Sequence, residues 1–210
     1  MSDIQKIISL YNSRKTIIKL LETLDYLVDD YMEFSINEID AMNKNEQLDM
    51  LILQKNTDKK VYVKFHLPDK QKQISKSVLD DTIEDLFKTD KTLNKDDTLI
   101  IIMDDEPNDS NLSRMNYLYD RDGIFVVMHN IKRLQYNITE HSLVPKMTLL
   151  SNEETILLMK NKNISSLSQF PEISRYDPHA LALCVRPNQV CKIERSSATA
   201  LTCIYYRVCV

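Results

Sequence analysis

Four short apolar runs, Met50–Gln54, Val61–Phe65, Leu99–Met103 and Ile124–Met128, are each bounded by polar turn residues and constrain this chain more than any other feature. They are separated by stretches of helical period. Ile74, Val78, Leu79, Ile83, Leu86 and Phe87 recur at helix spacing with Ser75 or Ser77 as the cap, and a further helix is expected after Asp109-Ser110. Upstream, Ser2 and Gln5 form a capping-box pattern. Ile4, Ile7, Ile8, Tyr11, Ile18, Leu21 and Leu24 then follow on one helical spacing, which predicts a long amphipathic helix. Lys55–Lys60 reads as a hairpin between the first two runs. Strands alternating with helices imply a mixed sheet with helices packed on it, so the first part of the chain is expected to be an α/β domain closing near Gln135.

Turn chemistry and charge refine this picture. Gly123 is the one glycine among 210 residues, so left-handed turn positions must fall to Asn and Asp. Residues 1–136 carry a net charge of -6 and residues 137–210 a net +2, which marks a boundary between two domains, 1–136 and 137–210. The total of -4 and the pI of 5.6 exclude a free-standing nucleic-acid binder, which needs a basic face for phosphate. The Met1-Ser2-Asp3 start is unlike a signal peptide, and no apolar run approaches the roughly 20 residues of a bilayer span; a soluble intracellular protein is expected.

Beyond residue 136 the pattern changes. Ser151 and Glu154 form a second capping box that opens a helix through Ile156, Leu157, Met159 and Lys160, and Asp177-Pro178 opens another. Val190–Glu194 and Leu201–Val208 read as strands joined by a turn-rich Arg195–Ala200. This predicts a small α+β domain. Its four cysteines, Cys184, Cys191, Cys203 and Cys209, have six, eleven and five intervening residues, whereas zinc knuckles pair cysteines about two to four apart. Buried free thiols are the reading, with no metal and no cofactor.

The segment Tyr136-Asn137-Ile138-Thr139-Glu140-His141-Ser142-Leu143-Val144-Pro145 resembles the phrase Asn-Ile-Thr-Glu-His-x-Leu-Val-Pro of the fifth-largest subunit shared by the three eukaryotic nuclear RNA polymerases. Its latter part also opens the shorter archaeal counterpart of that protein. The resemblance continues in order through Leu150-Ser151-Asn152-Glu153-Glu154, Pro171-Glu172-Ile173, Asp177-Pro178, Gln189–Arg195, Ser197-Ala198-Thr199-Ala200 and Tyr206-Arg207-Val208. The earlier part is similar in length and element order to the eukaryotic jaw domain, which the archaeal counterpart lacks.

This resemblance implies a nuclease-like α/β jaw followed by an assembly domain, in a non-catalytic polymerase subunit. The partners implied are the largest polymerase subunit, other subunits and, weakly, downstream duplex DNA; no membrane or small-molecule substrate is implied. Residues expected to bind the largest subunit are Arg186, Gln189, Lys192, Arg195, Ser197, Thr199 and Arg207. Ser110, Asn111, Leu112 and Ser113 align with the family's Thr-Pro-Ser-Ala near DNA, directly after the acidic Asp104-Asp105-Glu106, which repels phosphate. The expected location is the nucleus, or the virion and a cytoplasmic replication site if the Asn/Ile/Lys-rich composition reflects a large DNA virus. Two turns depart from the family: Asn188-Gln189 stands for its Gly-Gln, and Leu201 for the Gly after its Ser-Glu-Thr-Ala.

Rival readings attach to particular residues. A nuclease would need a carboxylate on one strand and acid-x-Lys on the next, but Asp49 and Lys64 flank Tyr62 where the acid belongs. A stand-alone DNA-binding regulator conflicts with the acidic total. Glu140 and His141 read as part of the interdomain link, Asp80, Asp81, Glu84 and Asp85 as a solvated helix face rather than a metal site, and Ser196, Ser197 and Thr199 as a hydroxyl-rich turn. His66, His129 and His179 are isolated and receive no role.

Overall fold

The computed structural model describes residues 3–67 and 74–210 and divides after Asn137 into two units. In the first, β1 (Met50–Leu53) pairs antiparallel with β2 (Lys60–His66), and β2, β3 (Thr98–Met103) and β4 (Phe125–Asn130) run parallel in the order β1-β2-β3-β4. The parallel pairs need crossovers, supplied by α3 (Lys76–Glu84) and α4 (Asp109–Asp122). Right-handed crossovers place both helices on one face. All six residues of β3 and of β4 are buried, so the opposite face is covered as well; α1 (Asp3–Thr23) buries Ile17, Leu20 and Leu21.

Several expectations are corrected here. Ser2 lies outside the described residues. Ile4 is 71% exposed and Ile8 is also exposed, because the buried stripe of α1 is the neighbouring one through Leu10, Ser13, Arg14, Ile17 and Leu21. Two polar members hide that stripe from hydropathy. Ser13 donates to its own helix at Leu10 O (2.8 Å), while the Arg14 guanidinium donates to Leu48 O (2.8 Å) and lies 6.0 Å from the Tyr31 ring and 5.3 Å from the Phe34 ring. A further helix, α2 (Ile36–Lys44), is absent from the expected elements although Ser35 and Glu38 form a full capping box at its start.

Ser75 caps α3, which ends in a π-helical turn over Asp85–Thr89, and Gly123 ends α4 in the left-handed conformation (φ 72°). Among the described residues, seven others also have positive φ: Asp25, Glu46, Lys91, Asn163, Cys184, Asn188 and Leu201. Asn and Asp therefore cover only part of what the missing glycines would do.

The second unit is a four-stranded sheet in the order β5-β7-β8-β6, formed by β5 (Lys146–Leu149), β6 (Glu172–Ile173), β7 (Val190–Ser197) and β8 (Leu201–Cys209). β5 and β6 are too short to stand out in the sequence. Ser151 and Glu154 close the expected capping box on α5 (Asn152–Lys162), and Asp177 caps α6 (Pro178–Ala182) with Pro178 in its first turn. Apolar groups pack on both faces of the sheet. Met147, Ala180, Val185, Cys191, Ile193 and Cys209 fill one side, and Phe170, Val190 and Val208 the other, against Leu158 and Met159 of α5.

Candidate docking surface and jaw residues

β7 and β8 are the long strands of the second unit, and they outrun their neighbours. β5 reaches only to Glu194 of β7, and β6 pairs only Val208 and Cys209 of β8. The remainder, Arg195–Ser197 opposite Leu201–Cys203, is a two-stranded ribbon. The expected turn over Arg195–Ala200 is corrected by this pairing: β7 continues through Ser197, and only residues 198–200 connect the strands. The residue that follows this three-residue connection, Leu201 at the start of β8, takes the left-handed conformation that glycine normally supplies, at φ 58° and 87% exposed. Asn188 does the same for the turn before β7, at φ 68°.

The seven residues expected to bind the largest subunit do not form one patch. Strand alternation puts Arg195 and Arg207 on one face of the sheet and Lys192 on the other. Lys192 pairs with Glu194 at 2.8 Å, a contact that raises the lysine pKa and lowers that of the carboxylate. Arg207 Nη1 donates to Glu172 O at 2.7 Å and ties β8 to β6. Gln189 Oε1 accepts from Arg186 N at 2.8 Å, so this glutamine holds the turn together. Ser197 Oγ accepts from Ala200 N (3.3 Å) and lies 3.4 Å from Thr199 Oγ1, closing the hairpin. Arg195 is exposed, with its guanidinium 5.3 Å from the Tyr205 ring diagonally across the ladder.

In the first unit, the helix expected after Asp109-Ser110 begins at Asp109 itself, and Asn108 caps it by accepting from Asn111 N at 2.8 Å. Asn111 is buried and its Nδ2 donates to Ile74 O at 3.2 Å, so this member of the expected DNA-proximal set serves the fold. Ser110 and Ser113 are exposed, and Leu112 is half-buried. The acidic stretch ahead of them is partly neutralised, since Glu106 Oε1 accepts from Arg133 Nε at 2.9 Å.

The nuclease-type residues are occupied otherwise. Asp49 accepts from Phe65 N (2.9 Å) and from the Tyr62 hydroxyl (3.0 Å), so its carboxylate pins β2 beside its own lead-in to β1. Burial first, and then the Asp49 charge, push the Tyr62 phenol up to about 12. The α3 carboxylates are divided in the same way, Asp80 pairing with Arg114 (2.7 Å) and Glu84 with Lys88 (3.3 Å). His141 Nδ1 accepts from Leu143 N at 3.2 Å in a turn. All four cysteines are free thiols; Cys191 and Cys209 are buried, their pKa values pushed up by burial to about 12 and about 11, while Cys184 and Cys203 are half-exposed.

The feature that sequence reasoning missed is the outer edge of β8. Its signal was present, since Leu201-Thr202-Cys203-Ile204-Tyr205-Tyr206 contains no charge and no proline.

Residues 136–209 match the family model described as RNA polymerase Rpb5, C-terminal domain. Over its whole length the chain is 31% identical to DNA-directed RNA polymerases I, II, and III subunit rpabc1 of Dictyostelium discoideum, with both chains covered in full. It is 42% identical over 76 residues to DNA-directed RNA polymerase subunit Rpo5 of Thermococcus kodakarensis, a match that spans 36% of this chain and 92% of the archaeal one. These relatives come from cellular organisms and lend no support to a viral source.

Proposed function

The chain belongs to the Rpb5 family of DNA-directed RNA polymerase subunits, and from that premise we propose that its second unit docks on the largest subunit while its first forms a jaw beside downstream DNA. As a member of that family it is a non-catalytic component of the enzyme, and other polymerase subunits are its partners. The proposed location is the nucleus.

The observation that carries the docking half is the β7–β8 ribbon. It extends past both flanking strands and holds Arg195 on exposed Tyr205, the planar cation and aromatic pairing typical of interface centres. Arg207 lies on the same face, and Arg186 sits at the turn before β7. Lys192, Gln189, Ser197 and Thr199 act through local structure, holding an ion pair and two turns in shape. A permanent interface of this kind buries about 2,000 Å² or more. For the jaw, Ser110 and Ser113 are the groups available to a phosphate backbone, and the Glu106–Arg133 pair reduces the repulsion from the acidic stretch.

Arg195→Glu tests the docking half. It should reduce recovery of the chain with the largest subunit by tenfold or more, on the order of one lost charge-assisted contact, while thermal unfolding of the free protein stays unchanged. Undiminished recovery would place Arg195 outside the interface.

A further inference from the structure

An edge strand presents alternate backbone amides and carbonyls to whatever lies beside it, and natural proteins blunt such edges with lysine, proline, bulges or very short strands. β8 uses none of these devices along Leu201–Tyr206, and its first charge is Arg207. Its ladder shows which groups face outward. Val208 N donates to Pro171 O (2.9 Å) on the β6 side, whereas Cys209 N donates to Gln189 O (2.9 Å) on the β7 side. Even-numbered residues of β8 therefore point their N–H and C=O away from β7, as expected for non-hydrogen-bonded antiparallel pairs such as Lys192↔Tyr206 and Glu194↔Ile204. Thr202 N is used within the hairpin, by Ala200 O at 2.6 Å. Beyond it, the outward groups of Ile204 and Tyr206 have no backbone partner among the described residues. The flanking side chains are apolar on both faces: Ile204 is 48% exposed on one, Tyr205 47% and Leu201 still more on the other.

We propose that an extended segment of another polymerase subunit adds beside β8 as a fifth strand of this sheet, hydrogen-bonded to Ile204 and Tyr206. This rests on the docking reading above and specifies its geometry. The two-residue period of unpaired groups calls for a strand rather than a helix or a loop. The uncharged, apolar flanks on both faces call for a segment apolar on both sides, and Arg195 and Arg207 favour an acidic residue at its margin.

The test uses the full-length chain, free and assembled into the polymerase, with Ile204→Pro, Ile204→Val and Arg195→Glu. Proline at an outward position removes one edge donor without touching the β7 ladder, and valine keeps the donor. Ile204→Pro should lower incorporation by several-fold to about tenfold, the worth of one main-chain hydrogen bond, and Ile204→Val should not. In wild type, the amides of Ile204 and Tyr206 should exchange with solvent rapidly in the free chain and slowly after assembly. That second measurement needs no variant to fold. Full incorporation of Ile204→Pro, or fast exchange at both amides inside the polymerase, overturns the proposal. So does protection of those amides by a second copy of the chain alone. If Arg195→Glu abolishes incorporation while Ile204→Pro does not, only the strand addition fails; if neither matters, the docking reading fails with it.

Discussion

The two sheets of this protein treat their edges in opposite ways. In the first unit, Leu53 O at the β1 edge accepts from Leu27 N (2.8 Å), Leu51 O accepts from the Tyr31 hydroxyl (3.0 Å), and Tyr26 bridges to Gln54. At the other end, β4 is buried throughout. In the second unit the uncharged stretch of β8 from Leu201 to Tyr206 has no strand beside its outer edge among the described residues. A sheet that closes its own edges offers no backbone groups to a partner, whereas one with an open edge leaves them to water or to an added strand. In this respect the first unit is closed and the second open.

The largest expected effect contrasts the covered sheet with the open one. Ile101→Ala, at a fully buried β3 position, should destabilise the first unit by about 2–5 kcal/mol, whereas Ile204→Ala at the β8 edge should cost the free chain less than about 1 kcal/mol. Urea unfolding of both variants measures this. Equal losses would mean that β8 is covered in the free protein and would break the comparison.

A second effect is confined to the covered sheet and is read by pH. His129 on β4 is buried with Nε2 unpartnered, and burial, aided by Arg133, lowers its pKa to about 4. Its unfolded value is near 6.5, so the unfolded chain binds the proton first as pH falls. Stability is therefore intact above about pH 6.5, declines between about 6.5 and 4, and is lower by about 3 kcal/mol at the end of that window. His129→Leu should flatten this part of a stability-against-pH curve measured by urea titration. An unchanged slope would assign the acid sensitivity elsewhere.

The smallest effect belongs to the ribbon. Leu201 holds a left-handed conformation that glycine adopts freely, so Leu201→Gly should stabilise the hairpin by several tenths of a kcal/mol to about 1 kcal/mol. A small upward shift in thermal unfolding of the second unit checks it. A loss of stability would show that the leucine side chain packs in the free chain.

Local signals in the sequence determined the element types. The LIIIM run of β3, the Ser151–Glu154 capping box and the Asp177-Pro178 helix start each act over a few residues, and their physics is complete within that span. The phrase around Asn137–Pro145 and the motifs after it likewise carried the family. Tertiary structure alone decided which side chains are free to act. Asn111 turned inward because Ile74, far away in sequence, left a carbonyl to satisfy, and the stripe of α1 shifted because Leu48 receives Arg14. The edge of β8 is open because Glu172–Ile173 reaches only its last two residues. Strand neighbours, register and covered edges arise from contacts between distant segments, and a run such as LTCIYY has the same periodicity whether a neighbour lies beside it or not.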